Sequence, residues 1–145
     1  MNQIALDFIK QREQCRLLAY QDSGGRWTVG YGATGPAIGP GTQWTQSEAD
    51  ADLAQKIASV ATTVSMRLGG KVRLSPQQEA ALLSLGYNIG ASALSTSHVM
   101  AFVRAKNWLA AAKAFLAWDH VNGIEHQGLF KRRCEEAGLF LDGSA

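Results

Sequence analysis

No stretch of this chain approaches the ~20 consecutive apolar residues that carry a helix across a bilayer, so a helical membrane span is excluded. Cysteine is scarce: only Cys15 and Cys134 occur, far apart and in no CxxC pair. In a cytosolic context they predict buried or half-buried thiols, with a disulfide or a reactive thiol as the alternative. There is no HExxH, and His98, His120 and His126 are scattered, so no metal site is indicated and no histidine is given a role. Neither sign of charge dominates. A net charge of +2 and a pI near 8.7 lean toward anionic partners but fall short of the bias of a nucleic-acid binder. The basic residues are dispersed apart from Lys131-Arg132-Arg133. Repeats and low-complexity tracts are missing too, and 46% hydrophobic against 18% charged residues is ordinary for a folded soluble domain. The opening "MNQIALDFIKQRE" mixes charge with apolar residues and reads as neither a secretory signal nor a signal anchor, which predicts a cytoplasmic product needing another way out. At 145 residues, one compact unit is expected, burying roughly two-thirds of its unfolded surface.

What is present divides into two textures. Ile4, Ala5, Phe8 and Ile9 give residues 3–13 one apolar stripe, a short helix with Glu13 at its end. The period then changes. In "LLAYQDSGGRWTVGYG", Trp27, Val29 and Tyr31 alternate with Thr28, Gly30 and Gly32, which predicts a hairpin over about 17–34 turning at Ser23, Gly24 and Gly25. "GPAIGPGTQWT" reads as loop, broken by Pro36 and Pro40. Thr45-x-x-Glu48 is a capping box opening a long amphipathic helix over 45–67 that stops before Gly69-Gly70. Ser75-Pro76-x-Gln78 starts another, "EAALLSLGYNIG", apolar on nearly every side and therefore a buried centre ended by Gly90. Shorter helices are expected at about 95–106, 107–118 and 126–137, the last stopping at Gly138. Strands confined to one end make the class α+β, with a crevice between a sheet lobe and a helical lobe as the natural ligand site.

Two carboxyls suit acid–base chemistry there. A glycosidase needs one sheltered enough to hold a proton and one solvated enough to stay ionised. Glu13 and Asp22 fit by placement, and Thr28 carries a hydroxyl able to hold a water. Each also has a plainer reading: a solvated helix-end glutamate, a turn-capping aspartate and a threonine favoured in strands. Phe115 and Trp118 read as core. Trp44 is open between lobe packing and glycan contact, and Asn88 reads as a cap for the central helix.

The order "E13 … A-Y-Q-D22 … W-T28-V-G-Y-G" resembles the N-terminal signature of the bacteriophage lysozymes of glycoside hydrolase family 24, where a glutamate, an aspartate nine positions on and a threonine six further form the active site. Tyr20, Gly25 and Gly30-Tyr31-Gly32 also fit. "LSPQQEAALLSLGYNIG" is similar to the family's central helix, and "GLFKRRCEEAGLFL" to its closing Gly-Leu-x-x-Arg-Arg-x-x-Glu helix. Two departures stand out: Gln14 replaces the usual glycine after the glutamate, and Ala33-Thr34 stands where histidine often ends the glycine-rich run.

The resemblance implies a lysozyme-like fold in one domain over 1–145: a β lobe at about 14–45, a connecting helix at 45–69, and a helical lobe from 1–13 and 70–145. It implies a muramidase cleaving the β-1,4 bond between N-acetylmuramic acid and N-acetylglucosamine in peptidoglycan, with no cofactor, no nucleic-acid partner and no stable membrane insertion. Glu13 becomes the general acid, with Asp22 and Thr28 acting on the water or the developing oxocarbenium charge. Tyr20, Gly32, Arg132 and Arg133 become supporting or substrate-binding residues; either one arginine pairs with Glu13 or both are solvated. A monomer is implied, held in the host cytoplasm until holin lesions give it access to the wall. Inversion, the outcome for the better-studied members, requires carboxyls about 6.5–9.5 Å apart, and a retaining route through Asp22 stays open. The rivals are a lytic transglycosylase using Glu13 alone and a non-catalytic peptidoglycan-binding relic of the fold.

Overall fold

A computed structural model describes residues 1–145. Helix α1 (Gln3–Arg12) starts at Asn2, whose side chain accepts from the Ala5 N–H and donates to Glu79, tying the helix start to the centre of the molecule. It buries Ala5 and Ile9 and ends where Glu13 turns extended (φ −104°). Strands β1 (Arg16–Gln21) and β2 (Trp27–Gly30) then form an antiparallel hairpin with Tyr20 opposite Thr28 and an irregularity between Arg16 and Tyr20. Helix α2 (Gln46–Leu68) has the reciprocal capping box of Thr45 and Glu48 and ends at Gly69 in the left-handed conformation (φ 57°). Helix α3 (Pro76–Ile89) repeats the device with Ser75 and Gln78 and is buried from Ala80 through Gly86, as its all-round apolar sequence predicts. It packs against α1, α2, α4 (Ala91–Ser95) and α7 (Gln127–Asp142). Helices α5 (His98–Arg104) and α6 (Trp108–Phe115) complete the helical part, where Phe115 and Phe140 meet at 5.6 Å between ring centroids.

Several expectations are corrected. The helix expected over 95–106 is shorter, α5 covering only His98–Arg104: Ser97 caps it by accepting from the Met100 N–H, and the separate short helix α4 (Ala91–Ser95), not anticipated, precedes it. Helix α6 stops at Phe115, three residues short of the expected end, in a run of turns through Trp118. Gly138 does not end α7, which continues to Asp142: the modest penalty of a helical glycine is offset by burying Phe140 beyond it. A second hairpin, β3 (His120–Val121) with β4 (Ile124–Glu125), was not anticipated, although Asn122-Gly123, both at positive φ, is the strongest short hairpin signal there is. Burial along β2 does not alternate: Thr28, Val29 and Gly30 are all buried. Its second face is covered by the loop that follows, through bridges Val29–Ala33 and Leu18–Gln43, and by Trp44. A Cβ at Gly30 would lie 3.0 Å from the Trp44 ring, so Trp44 is packed between lobes. Cys15 is half-buried but Cys134 is exposed, and both are free thiols. The outward face of α7 carries Cys134, which the helix period alone leaves undecided.

Candidate active site

Glu13 stands at the end of α1, beside a cleft of about 440 Å³ bordered by Tyr31 and Gly32 of the hairpin region, Ser59 and Val60 of α2, and Tyr87 and Asn88 of α3. The helix ends there with Glu13 extended, its N–H still donating to the Ile9 carbonyl and its side chain 23% exposed. Across the molecule, Arg132 of α7 donates from Nη1 to Glu13 Oε1 at 2.7 Å. Sequence reasoning left two arginines and a solvated alternative; the structure brings Arg132 to Glu13. Its neighbour faces elsewhere: Arg133, fully buried, donates from Nη2 to Asn88 Oδ1 at 2.9 Å and lies 2.9 Å from Glu136 Oε2 through Nε. Asn88 is therefore not a helix cap. Its carbonyl oxygen is used by Arg133, while Gly90 closes α3.

Behind Arg132 the charges form a connected set, in which Arg133 Nη1 is buried without a partner. Glu136, also fully buried, accepts from Arg132 Nε (3.2 Å), Ser84 Oγ (2.6 Å) and Arg133 Nη2 (3.3 Å). Two carboxyls face two guanidiniums, so the set balances in charge. Burial pushes the Glu136 carboxyl up and the Arg133 guanidinium down, and the opposite charges they present to each other resist both shifts. Sequence reasoning gave neither Glu136 nor Ser84 a role. Both left a trace, Glu136 as the last letter of the Gly-Leu-x-x-Arg-Arg-x-x-Glu run and Ser84 as the lone hydroxyl in the apolar "ALLSLG". Lys56 was missed as well; it borders the cleft and pairs with Asp52 at 3.0 Å.

Asp22 is held quite differently. Its Oδ1 accepts from the main-chain N–H groups of Gly24 and Arg26, each at 2.9 Å, and its Oδ2 faces Arg26 Nε at 3.3 Å. The Arg26 N–H, foremost, holds the carboxyl below the usual value of 3.8. Gly25, at φ 79°, supplies the left-handed residue this turn needs. Thr28 is 4% exposed and donates its hydroxyl proton to the Arg26 carbonyl at 3.1 Å. Tyr20 is half-buried under the Arg16 guanidinium, 4.1 Å above its ring. None of Asp22, Thr28 and Tyr20 borders the cleft around Glu13, whereas Gly32 does. Phe115 is fully buried and Trp118 packs at the edge of the same core.

The hairpin is tied to the helices by Tyr31. Its hydroxyl donates to Asp50 of α2 at 3.0 Å, Lys10 of α1 lies 3.3 Å from Asp50, and the Tyr87 hydroxyl donates to the Tyr31 carbonyl at 2.6 Å. Burial and the Asp50 carboxylate push the Tyr31 phenol up to about 12.

The model for the family described as phage lysozyme matches residues 10–136, from just before Glu13 to Glu136 itself. The chain belongs to the phage lysozyme family. Among relatives, the endolysin of Acyrthosiphon pisum secondary endosymbiont phage 1 is 38% identical over 139 residues, covering 93% of each chain. The endolysin of Bacillus phage B103 is 32% identical along the whole chain, which spans only 55% of that longer protein. Among solved structures, the endolysin from Escherichia coli O157:H7 phage FAHEc1 superposes with a TM-score of 0.86 at 32% identity, covering 96% of this chain and 91% of that one. The expected lysozyme-like α+β fold is thus the fold of phage lysozyme family members, and none of its helices is long and apolar enough to cross a membrane.

Proposed function

We propose that the chain is a muramidase of the endolysin type, hydrolysing the β-1,4 bond between N-acetylmuramic acid and N-acetylglucosamine in bacterial peptidoglycan. The observation that carries this is Glu13 at the edge of the cleft, fixed by Arg132. Glu13 is the general acid, giving its proton to the leaving glycosidic oxygen as the C–O bond breaks. Asp22, kept ionised by its turn, accepts a proton from the attacking water, whose oxygen bonds to the anomeric carbon. Thr28, nearly buried, spends its own hydroxyl proton on the Arg26 carbonyl, which leaves it only an acceptor oxygen to offer that water. Gly32 leaves the cleft wall without a side chain, and Tyr20 supports the hairpin that carries Asp22 and Thr28. The reaction consumes only water and needs no cofactor.

The 1–145 segment works as one lysozyme-like domain and as a monomer, with the β lobe at about 14–45 joined through the 45–69 helix to the helical lobe. It accumulates in the host cytoplasm and reaches the wall through holin lesions. Loss of turbidity of permeabilised Gram-negative cells tests the reading: wild type lyses them and Glu13→Gln does not. Equal lysis by both removes Glu13 from the role of acid, and no lysis by either leaves a peptidoglycan-binding protein. Mass spectrometry of the released muropeptides is expected to show reducing muramic ends; anhydro-muramic ends identify a transglycosylase instead. If lysis in expressing cells begins without any opening of the inner membrane, the holin route is wrong.

A further inference from the structure

Arg132 meets Glu13 through one nitrogen, Nη1, and what fixes the rest of the guanidinium decides where that nitrogen points. Nη1 is on Glu13; Nε is on Glu136 Oε1, and Nη2 is 3.3 Å from Ser84 Oγ. Because the guanidinium is a rigid plane, fixing the Nε edge and Nη2 fixes Nη1. Glu136 is in turn immobilised: Ser84 donates to it at 2.6 Å and Arg133 flanks it through Nε and Nη2, with no solvent reaching either side chain. Nothing in the hydrolysis proposed above uses Glu136, yet a fully buried carboxylate at this depth is retained at a desolvation cost that an apolar residue would not incur.

From this geometry we infer that Glu136 is a positioning residue for the glycosidase reaction, orienting Arg132 so that Arg132 orients Glu13. The inference rests on Glu13 being the acid. Glu136, together with Ser84, sets where the carboxyl of Glu13 sits relative to the scissile oxygen, and it never touches substrate. Misplacing a reacting group by about an ångström is enough to lower turnover by up to roughly 100-fold. Binding of the glycan along the cleft does not depend on that last adjustment.

A charge-conserving double-mutant cycle tests this, with reducing ends released from soluble, uncrosslinked glycan strands as the readout. Glu136→Asp retracts the carboxylate by one methylene and is expected to lower kcat roughly 10-fold while KM stays within about twofold. Arg132→Lys keeps a cation near Glu13 but lacks the Nε link. In that background Glu136→Asp is expected to cost less than about twofold more, because the path it acts through is already cut. Wild-type kcat in Glu136→Asp, or losses that multiply in the double variant, overturns the inference and leaves Glu136 a structural residue. If Glu136→Asp does not fold by near-UV circular dichroism, Ser84→Ala decides: reduced kcat at unchanged KM supports the positioning role, and wild-type kcat sinks it. Glu13→Gln is run alongside. An active Glu13→Gln overturns the muramidase assignment itself, whereas an inactive one beside a fully active Glu136→Asp overturns only the positioning role.

Discussion

The two carboxylates proposed for catalysis are held by opposite means. Asp22 takes its hydrogen bonds from Gly24 and Arg26, two and four residues on, inside a turn exposed to water. Glu13 takes its partner from Arg132, 119 positions away, and behind Arg132 lies a buried set of charges assembled from α3 and α7. The first arrangement survives as long as the turn survives. The second exists only when the whole helical part is assembled, since each member is stabilised by another that comes from elsewhere in the chain. Electrostatics follow the same division: main-chain donors in high dielectric lower the Asp22 carboxyl without any buried charge, while Glu136 and Arg133 are perturbed by burial itself.

Breaking the long-range side is expected to have the largest effect. Arg132→Met removes the partner of Glu13 and half of the charge facing Glu136; turnover on soluble glycan strands should fall on the order of 100-fold, and urea unfolding should show a loss of about 3–5 kcal/mol. A wild-type rate would mean that Glu13 needs no partner, and the contrast with Asp22 would collapse. Next, Arg133→Met leaves Glu136 and Asn88 short of their donor and should destabilise by a similar ~3–5 kcal/mol in the same assay. Its KM is expected to rise as well, because Asn88 borders the cleft. A smaller loss, about 1–3 kcal/mol, is expected for Gly86→Ala, whose methyl would collide with Val60 and crowd Leu94 at the α2–α3 contact.

The smallest effect belongs to the local side. Asp22 has a lowered folded-state pKa, so its ionised form and the stability linked to it are present above the unfolded value near 3.8 and vanish as pH falls through the lowered one. Arg26→Ala removes only the lesser, side-chain share of that lowering and leaves the Arg26 N–H in place. The acid limb of the pH–rate profile should therefore move up only slightly. A shift of about one pH unit or more would show that the Arg26 side chain, not the turn, governs Asp22.

Legibility in the sequence tracked the range of the interaction. Thr45 with Glu48 and Ser75 with Gln78 announced their helices because a cap and its partner sit three residues apart. The 120–125 hairpin was equally local and could have been read from Asn122-Gly123. The burial of Thr28 was not legible, because alternation along a strand assumes one wet face, and here the 33–44 loop and Trp44 cover it. Nor was the continuation of α7 past Gly138, which depends on where Phe140 can be buried.

By itself the sequence determined the capping-box helices α2 and α3, the glycine turn whose main-chain donors hold Asp22, the α+β class, and, through three separated motifs, the family. Those features depend on neighbours within a few residues, or on patterns that survive without coordinates. Only the tertiary structure decided which arginine meets Glu13, that Asn88 serves Arg133 instead of capping a helix, and that Glu136 and Ser84 stand behind both. Adjacent arginines on one helix differ by about 100° in direction. Which of them faces the acid is therefore fixed by the packing of α7 on α3, and no spacing along the chain contains that angle.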